Sequence, residues 1–504
     1  MSHRIWSGAL AFLAAGILAG STLSQAETER IVEAVSEIRM EDERETEAES
    51  PMPFDFSGAL GGRDEAGSGS VFVPFATDSP VLLPEIPETF SWIDRGKKPT
   101  VRSQGALGTC WAISAVSAIE SELLPDTSMV FSPDHMSLRN GFVISQNEGG
   151  DYSMIMSYLA DWKGPVLEEE DPYGDGVSPE GLKARVHVSE MRLLKSMSTQ
   201  RIKSMIYRFG PVQSSLSMDR TRTDGDVYHY YQEETSAYHD PFVEPLNHDI
   251  LILGWDDSFS RDQFRIRPRQ DGAWICQNTW GEEFGEKGIF YVSYEDANLF
   301  RKGGIAYTEV SSVEEFDHVY ENDSLGWQAR QGYGSGSAYF AGVYTAGGEE
   351  TLNACGIYST GASSSYQIYY LPVFERESDL KKVYDLVRGT LSQDGENEGE
   401  NAVKALGYGY LEHPGFYTVR FDKPPSLRAG QRFALVVRIR TMSEDKPVAV
   451  EIAKDRFTES MTLEGRETYL SQTGENWERT QTRYRTNVCL KAYTRDSQGI
   501  MGTD

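Results

Sequence analysis

QGALGTCWAIS, residues 104–114, sets a cysteine between a glycine-bearing turn and an apolar run. Ala112, Ala115, Val116, Ile119 and Leu123 recur at helical spacing, so a helix is expected from Cys110 to Leu124, stopped by Pro125. Cys110 would open that helix, where the positive end of the peptide dipoles favours a thiolate. Gly105 and Gly108 leave the approach to the sulfur unobstructed. Gln104 lies across the turn, and its side-chain amide could fold back beside the sulfur. With the backbone N–H of Cys110 it would make two donors aimed at a developing oxyanion. Trp111 can sit beneath the site. A buried, inert cysteine has the same local look, so the turn alone does not decide between nucleophile and filler.

A cysteine nucleophile needs a base, and the base needs an orienting group. NHDILILGWDD (247–257) places His248 at the start of a strand-like apolar run. Further on, QNTWGEEFGEKGIFYVSYE (277–295) places Asn278 where its amide oxygen could accept an imidazole N–H and fix the tautomer. Trp280 could roof that hydrogen bond and keep water out. Each piece alone is ordinary: a histidine beside a strand, an asparagine in a turn. The order Cys, His, Asn is what gives them weight together.

The rest of the chain sets limits. Its 504 residues are more than one typical domain holds, and a 39% apolar content suffices for real cores. A net charge of −29 argues against nucleic acid and against adhesion to anionic lipid. Arg4, the apolar run GALAFLAAGILAG (8–20) and the small residues before Glu27 form a signal-peptide pattern over 1–26, with an uncleaved anchor as the alternative. No other stretch is long and apolar enough to span a membrane, so the mature chain is expected to have no span. Residues 27–50 hold ten Asp or Glu against three Arg, and Gly, Ser and Pro crowd 51–85. Residues 27–85 therefore read as a largely disordered acidic pro-segment or linker. Cys110, Cys276, Cys355 and Cys489 show no CxxC spacing, so no metal site is expected, and no cofactor. Cys355 and Cys489 could pair, but sequence does not settle pairing.

From 86 to 304, helical periodicity gives way to strand-like runs: HDILILGW (248–255), AWICQNTW (273–280) and GIFYVSYED (288–296). This predicts an α+β unit of two lobes. Over 305–500, short strand candidates recur between turns, among them SAYFAGVYT (337–345), SYQIYYLPVF (365–374), GFYTVRF (415–421), QRFALVVRIRT (431–441), PVAVEIA (447–453) and NVCLKAYT (487–494). They suit an all-β sandwich, with 393–402 as an exposed loop.

IPETFSWIDRGKKPTVRSQGALGTCWAIS (86–114) resembles the start of a mature papain-family cysteine protease. The likeness continues through EGGDYSMIMSYLADWKGPVLEEEDPY (148–173), IKSMIYRFGPVQSSLSMD (202–219), NHDILILGWDD and NTWGEEFGEKG (278–288). It implies a papain-like two-lobe fold, a helical lobe plus a β-barrel-like lobe. By resemblance Cys110 is the nucleophile, His248 the base, Asn278 the orienting residue and Gln104 the oxyanion donor. Gly149 and Gly150 match the glycine pair whose backbone holds a peptide substrate as an extended strand. Residues 305–500 resemble the lectin-like β-sandwich that follows the peptidase in some bacterial papain relatives. Trp327, Tyr333 and Tyr339 could stack on a cell-surface glycan there, or could be core aromatics.

Three departures from the family pattern matter. Leu107 stands where most members have a disulfide-bonded cysteine. The long helical pro-domain is not visible. Asp249 replaces the usual small residue after the histidine. By the family layout Asp249 borders the pocket for the second substrate residue before the cut, and a basic side chain is expected there. Turning away to solvent is the alternative. The resemblance implies a secreted or cell-surface cysteine endopeptidase acting on peptide or protein. A transglutaminase-like acyltransferase shares the Cys, His, Asn/Asp order, and a non-catalytic adhesin is the third reading. Gln104, the glycine pair and NTWG favour the peptidase.

Overall fold

The computed structural model describes residues 86–195, 198–219, 228–388 and 402–497. The expected signal peptide, the acidic segment and nearly all of the loop expected at 393–402 lie outside the described residues.

The helix expected at Cys110 runs Cys110–Leu123. It is not one-sided in place, because every residue from Trp111 to Ser121 is buried. Its small side chains allow this: Ala112, Ser114, Ala115, Ser117 and Ala118 let neighbours approach from all sides. Glu120 is the charge within that buried stretch. Arg102 meets that carboxylate with Nη2–Oε1 at 2.5 Å and Nη1–Oε2 at 3.2 Å, and the Phe131 N–H donates to Oε1 at 2.9 Å. A buried carboxylate paired this fully is tolerated where a lone one is not. Helices Pro133–Leu138 and Tyr152–Ala160 complete the helical lobe.

Strands Val212–Leu216, His248–Asp256, Ala273–Gln277 and Ile289–Ser293 build the second lobe. They are antiparallel neighbours, with Leu216 opposite His248, Leu251 opposite Gln277 and Cys276 opposite Phe290. His248 begins its strand at the end where Ala273–Gln277 finishes, which brings Asn278 alongside. All three strand-like runs expected in this lobe are strands. The fold is the two-lobed α+β arrangement that the sequence implied.

The C-terminal region is all-β. A six-stranded antiparallel sheet runs in the order Lys404–Leu411, Ser364–Leu371, Arg432–Thr441, Ser337–Thr345, Thr468–Ser471, Glu478–Arg479. In Arg432–Thr441, Phe433, Leu435, Val437 and Ile439 point into a core shared with Leu352, Cys355 and Ile357 of strand Glu350–Ser359. Ala434 and Val436 point the other way and are covered by Leu380, Val383 and Trp477. Burial on both faces explains why this strand reads as a continuous apolar run rather than an alternation.

One strand absent from the sequence reading joins the two regions. Val186–Leu194 pairs on one side with Gly304–Ser312 and on the other with Gly415–Arg420, through Gly415↔Arg192, Phe416↔Met191 and Tyr417↔Glu190. Gly304–Ser312 starts where the two regions were expected to divide, and it also pairs with Val212–Leu216. The hydrophobic core crosses the same border. Tyr158 and Leu159 of the helical lobe share a cluster with Trp327, Tyr358, Phe416 and Tyr493 of the sandwich. Trp327 is 3% exposed and Tyr339 6%, so both are core aromatics and neither presents a face to a sugar. The half-buried Tyr333 donates to Glu478 at 3.2 Å. All four cysteines are free, so Cys355 and Cys489 do not pair.

Candidate active site

The turn that carries Cys110 is laced to the turn that carries Asn278. The Gln104 N–H donates to Thr279 O at 2.8 Å, the Gly281 N–H donates to Arg102 O at 2.9 Å, and Ser103 bridges Trp280. Gly105 takes φ 59°, a left-handed conformation that glycine adopts at low cost. Where the family disulfide would lie, Leu107 is held by hydrogen bonds instead. Its carbonyl accepts from Gln104 Nε2 at 2.6 Å, and the next residue, Gly108, donates its N–H to Gln146 O at 2.8 Å.

His248 is 6% exposed, and its Nε2 meets Asn278 Oδ1 at 2.7 Å. The same oxygen accepts the Thr279 N–H at 2.7 Å, which fixes the amide with its oxygen toward the ring. Nε2 therefore carries the proton, and Nδ1 is the nitrogen that can take one. Trp280 covers the pair, its ring centroid 4.7 Å from that of His248. Asn278 is 1% exposed, so this hydrogen bond sits out of bulk water.

Cys110 is half-buried at the first position of its helix. The backbone N–H groups of Asp249, Trp111 and Cys110 lie close enough to lower the thiol's pKa, which puts the sulfur near the residue that follows His248. These donors favour a thiolate, as the sequence suggested, but they do not win. Burial, reinforced by the Asp249 carboxylate, pushes the Cys110 thiol up to about 12. Burial and the Asp249 carboxylate therefore oppose ionisation of the thiol, against the donors at the helix start.

Asp249 is not turned to solvent. It is 8% exposed, accepting from Gln213 Nε2 at 2.7 Å and from Ser215 Oγ at 2.5 Å. Burial raises its pKa above the ordinary carboxylate range. Gln213 also donates to Trp111 O at 3.1 Å and accepts from the Tyr307 hydroxyl at 2.7 Å. Replacing Asp249 by asparagine removes the negative charge beside the sulfur. The pH midpoint for alkylation of Cys110 by iodoacetamide is expected to fall in Asp249→Asn, and an unchanged or higher midpoint would count against this electrostatic account.

Gly149 is half-buried with φ 84°, and Gly150 is buried. Gly150 has a structural reason to be glycine: a Cβ there would lie 2.2 Å from Trp111 Cε2. Trp111 is 2% exposed and has no room to retreat. Gly150→Ala is expected to destabilise the fold by roughly 1–3 kcal/mol, read as a lowered urea midpoint. An unchanged midpoint would show that the indole is not wedged there. Gly149 and Gly108 are also close, since a Cβ on Gly108 would come 3.0 Å from Gly149 N.

Gln104 Oε1 accepts from Thr279 Oγ1 at 2.6 Å, and one Nε2 hydrogen goes to Leu107 O, which leaves the second amide hydrogen to spare. Sequence reasoning missed Gln213, Ser215, Thr279 and Tyr173, whose hydroxyl donates to Gln104 O at 3.1 Å and is bonded to Thr109. A signal for two of them was present: the run QSS (213–215) puts polar residues into a buried strand, where each must find a partner. Among the described residues no cluster of three His, Cys, Asp or Glu side chains could hold a metal.

Residues 86–313 match the model of the papain family cysteine proteases, and 319–396 and 393–494 match the lectin-like domain. The chain carries a papain-family cysteine protease domain followed by a lectin-like domain. It is similar to cathepsin S of Bos taurus, 26% identical over 222 residues, 42% of this chain and 62% of that protein. It is also similar to probable cysteine protease RD19B of Arabidopsis thaliana, 25% identical over 43% of this chain and 61% of that protein. It thus spans less than two thirds of the length of these relatives. The crystal structure of the cysteine protease and lectin-like domains of Cwp84, a surface layer associated protein of Clostridium difficile, has the same fold over both regions. Its TM-score is 0.66 at 24% identity, covering 82% of this chain and 90% of that one. Cwp84 after propeptide cleavage gives a TM-score of 0.67 at 24% identity, covering 81% and 99%.

Proposed function

We propose that this chain is an exported cysteine endopeptidase. The observation that carries the reading is the 2.7 Å bond from His248 Nε2 to Asn278 Oδ1, beside a cysteine at a helix N-terminus. Cys110 Sγ attacks the scissile carbonyl while its proton passes to His248 Nδ1. The raised thiol pKa favours such coupled transfer over a standing thiolate. The oxyanion takes hydrogen bonds from the Cys110 N–H and the remaining Gln104 amide hydrogen. His248 then protonates the leaving amine, and a thioester is left on Cys110. Water, deprotonated by His248, hydrolyses it and releases the acid.

Gly149 and Gly150 hold the substrate backbone on the acyl side, and Asp249 borders the pocket for the second residue before the cut. Peptides with Arg or Leu at that position, compared between wild type and Asp249→Asn, report on this last assignment; an unchanged preference removes it. Residues 1–26 direct export and 27–85 are removed as a pro-segment. Cwp84, a surface layer associated protein whose structure is known after propeptide cleavage, is in keeping with both. Among the described residues no helix is long and apolar enough to cross a membrane. The test is incubation of the purified chain with a peptide library and no amine acceptor, with the new ends sequenced. Cleavage supports the peptidase. Product only when an amine is added points to acyl transfer, and no product to an adhesin.

A further inference from the structure

The loop 141–150, which ends in the glycine pair, is anchored from two sides. Inside the peptidase domain, Gln146 Nε2 donates to Asp134 Oδ1 at 2.6 Å, and Gln146 O accepts from Gly108 on the nucleophile turn. These bonds fix the middle of the loop. Its outer rim finds partners in the lectin-like domain. The Val143 N–H donates to Phe457 O at 2.9 Å, Ser460 Oγ donates to Gly141 O at 2.7 Å, and Arg456 forms an ion pair with Glu148. Glu148 in turn caps its own bend, accepting from the Ser145 N–H at 3.0 Å. Next to the glycines, Asp151 caps helix Tyr152–Ala160 through the Ser153 N–H at 2.8 Å; burial raises its pKa, and Lys454 offsets part of that rise.

The lectin-like segment is itself held in shape. Asp455 Oδ1 accepts from the backbone N–H of Phe457 at 3.0 Å and of Thr458 at 3.2 Å. The domains share a sheet and a core, so this segment sits at a fixed place relative to the cleft. A loop with most of its rim bonded elsewhere loses definition when those bonds go.

We propose that residues 454–460 of the lectin-like domain are a positioning element of the substrate groove, holding the loop whose glycines bind the peptide backbone. This rests on the peptidase reading above. The domain is then part of the enzyme's binding surface for extended peptides, not only a module that attaches it to something. Arg456 and Ser460 act through the loop and touch no reacting atom.

The test compares two substrates in wild type and in the double variant Arg456→Ala/Ser460→Ala. One is a peptide with four residues before the cut and two after. The other is a p-nitrophenyl ester of a single blocked amino acid, which cannot reach Gly149. We expect kcat/KM for the peptide to fall about tenfold, mainly through KM, as expected for one surface ion pair and one hydrogen bond lost together. Ester hydrolysis is expected to stay within twofold, and Arg456→Lys to recover part of the peptide activity. Equal loss on both substrates, no loss on either, or a loss confined to kcat would overturn the proposal. Wild type that cleaves neither substrate would instead refute the peptidase reading itself.

Discussion

Cys110→Ala is expected to lower peptide hydrolysis by roughly four to six orders of magnitude while leaving the fold intact. The sulfur is lost, and the carboxylate that acts on it, Asp249, has both its oxygens engaged by Gln213 and Ser215. The three other cysteines are buried and free, Cys276 and Cys355 in cores of the two regions and Cys489 in the core they share. Alanine is a good helix former at an N-terminal helical position, so the urea midpoint should hardly move. His248→Ala should fall nearly as far, because no other group takes the proton. Asn278→Ala should fall less, since it orients the ring and does not react. Hydrolysis by Cys110→Ala at more than about a hundredth of the wild-type rate would contradict the assignment.

The second large effect concerns stability. Lys491, on strand Leu490–Asp496, has a fully buried side chain, with its ammonium 3.2 Å from Asp323 and 3.0 Å from Glu321. It also pairs with Asp161 of the peptidase domain, which Lys163 approaches at 2.8 Å. Burial and mutual repulsion hold Glu321 and Asp323 above the ordinary carboxylate range, while the two lysines hold Asp161 below it. Lys491→Ala would leave these carboxylates without the cation at their centre and open a cavity. The expected loss is about 3–5 kcal/mol, seen in urea unfolding. The transition should stay single, because the lysine sits where the two domains share a core. A loss below about 1 kcal/mol, or an early transition confined to the lectin-like domain, would show that the cluster does not bind the domains together.

What the sequence made legible was local. Cys110 stands out because a cysteine, a helix start and a glycine-bearing turn lie within a dozen residues of each other. His248 and Asn278 were readable from chain order, and the strand register accounts for their meeting. The sandwich strands were readable where aromatic and β-branched residues cluster. Val186–Leu194 was not: it reads VHVSEMRLL, with His, Ser, Glu and Arg among its apolar residues, and its role as the seam depends on pairing with strands more than a hundred residues away. The helix start at Cys110 is a local feature, whereas the burial by distant residues that outweighs it has no local signature. Asp249 was singled out as unusual, but its inward orientation depends on Gln213 and Ser215 from another strand. The aromatic candidates Trp327 and Tyr339 were equally apt for core or ligand until burial was known.

The central claim is that Cys110 is the reacting thiol, activated by proton transfer to His248. The most direct measurement is covalent: the chain is incubated with a peptidyl epoxide at neutral pH, digested, and the modified residue identified by mass spectrometry. The account predicts one label, on Cys110, in wild type, and a label rate sharply reduced in His248→Ala. Labelling of Cys276, Cys355 or Cys489, or a rate on Cys110 unaffected by loss of His248, would contradict it.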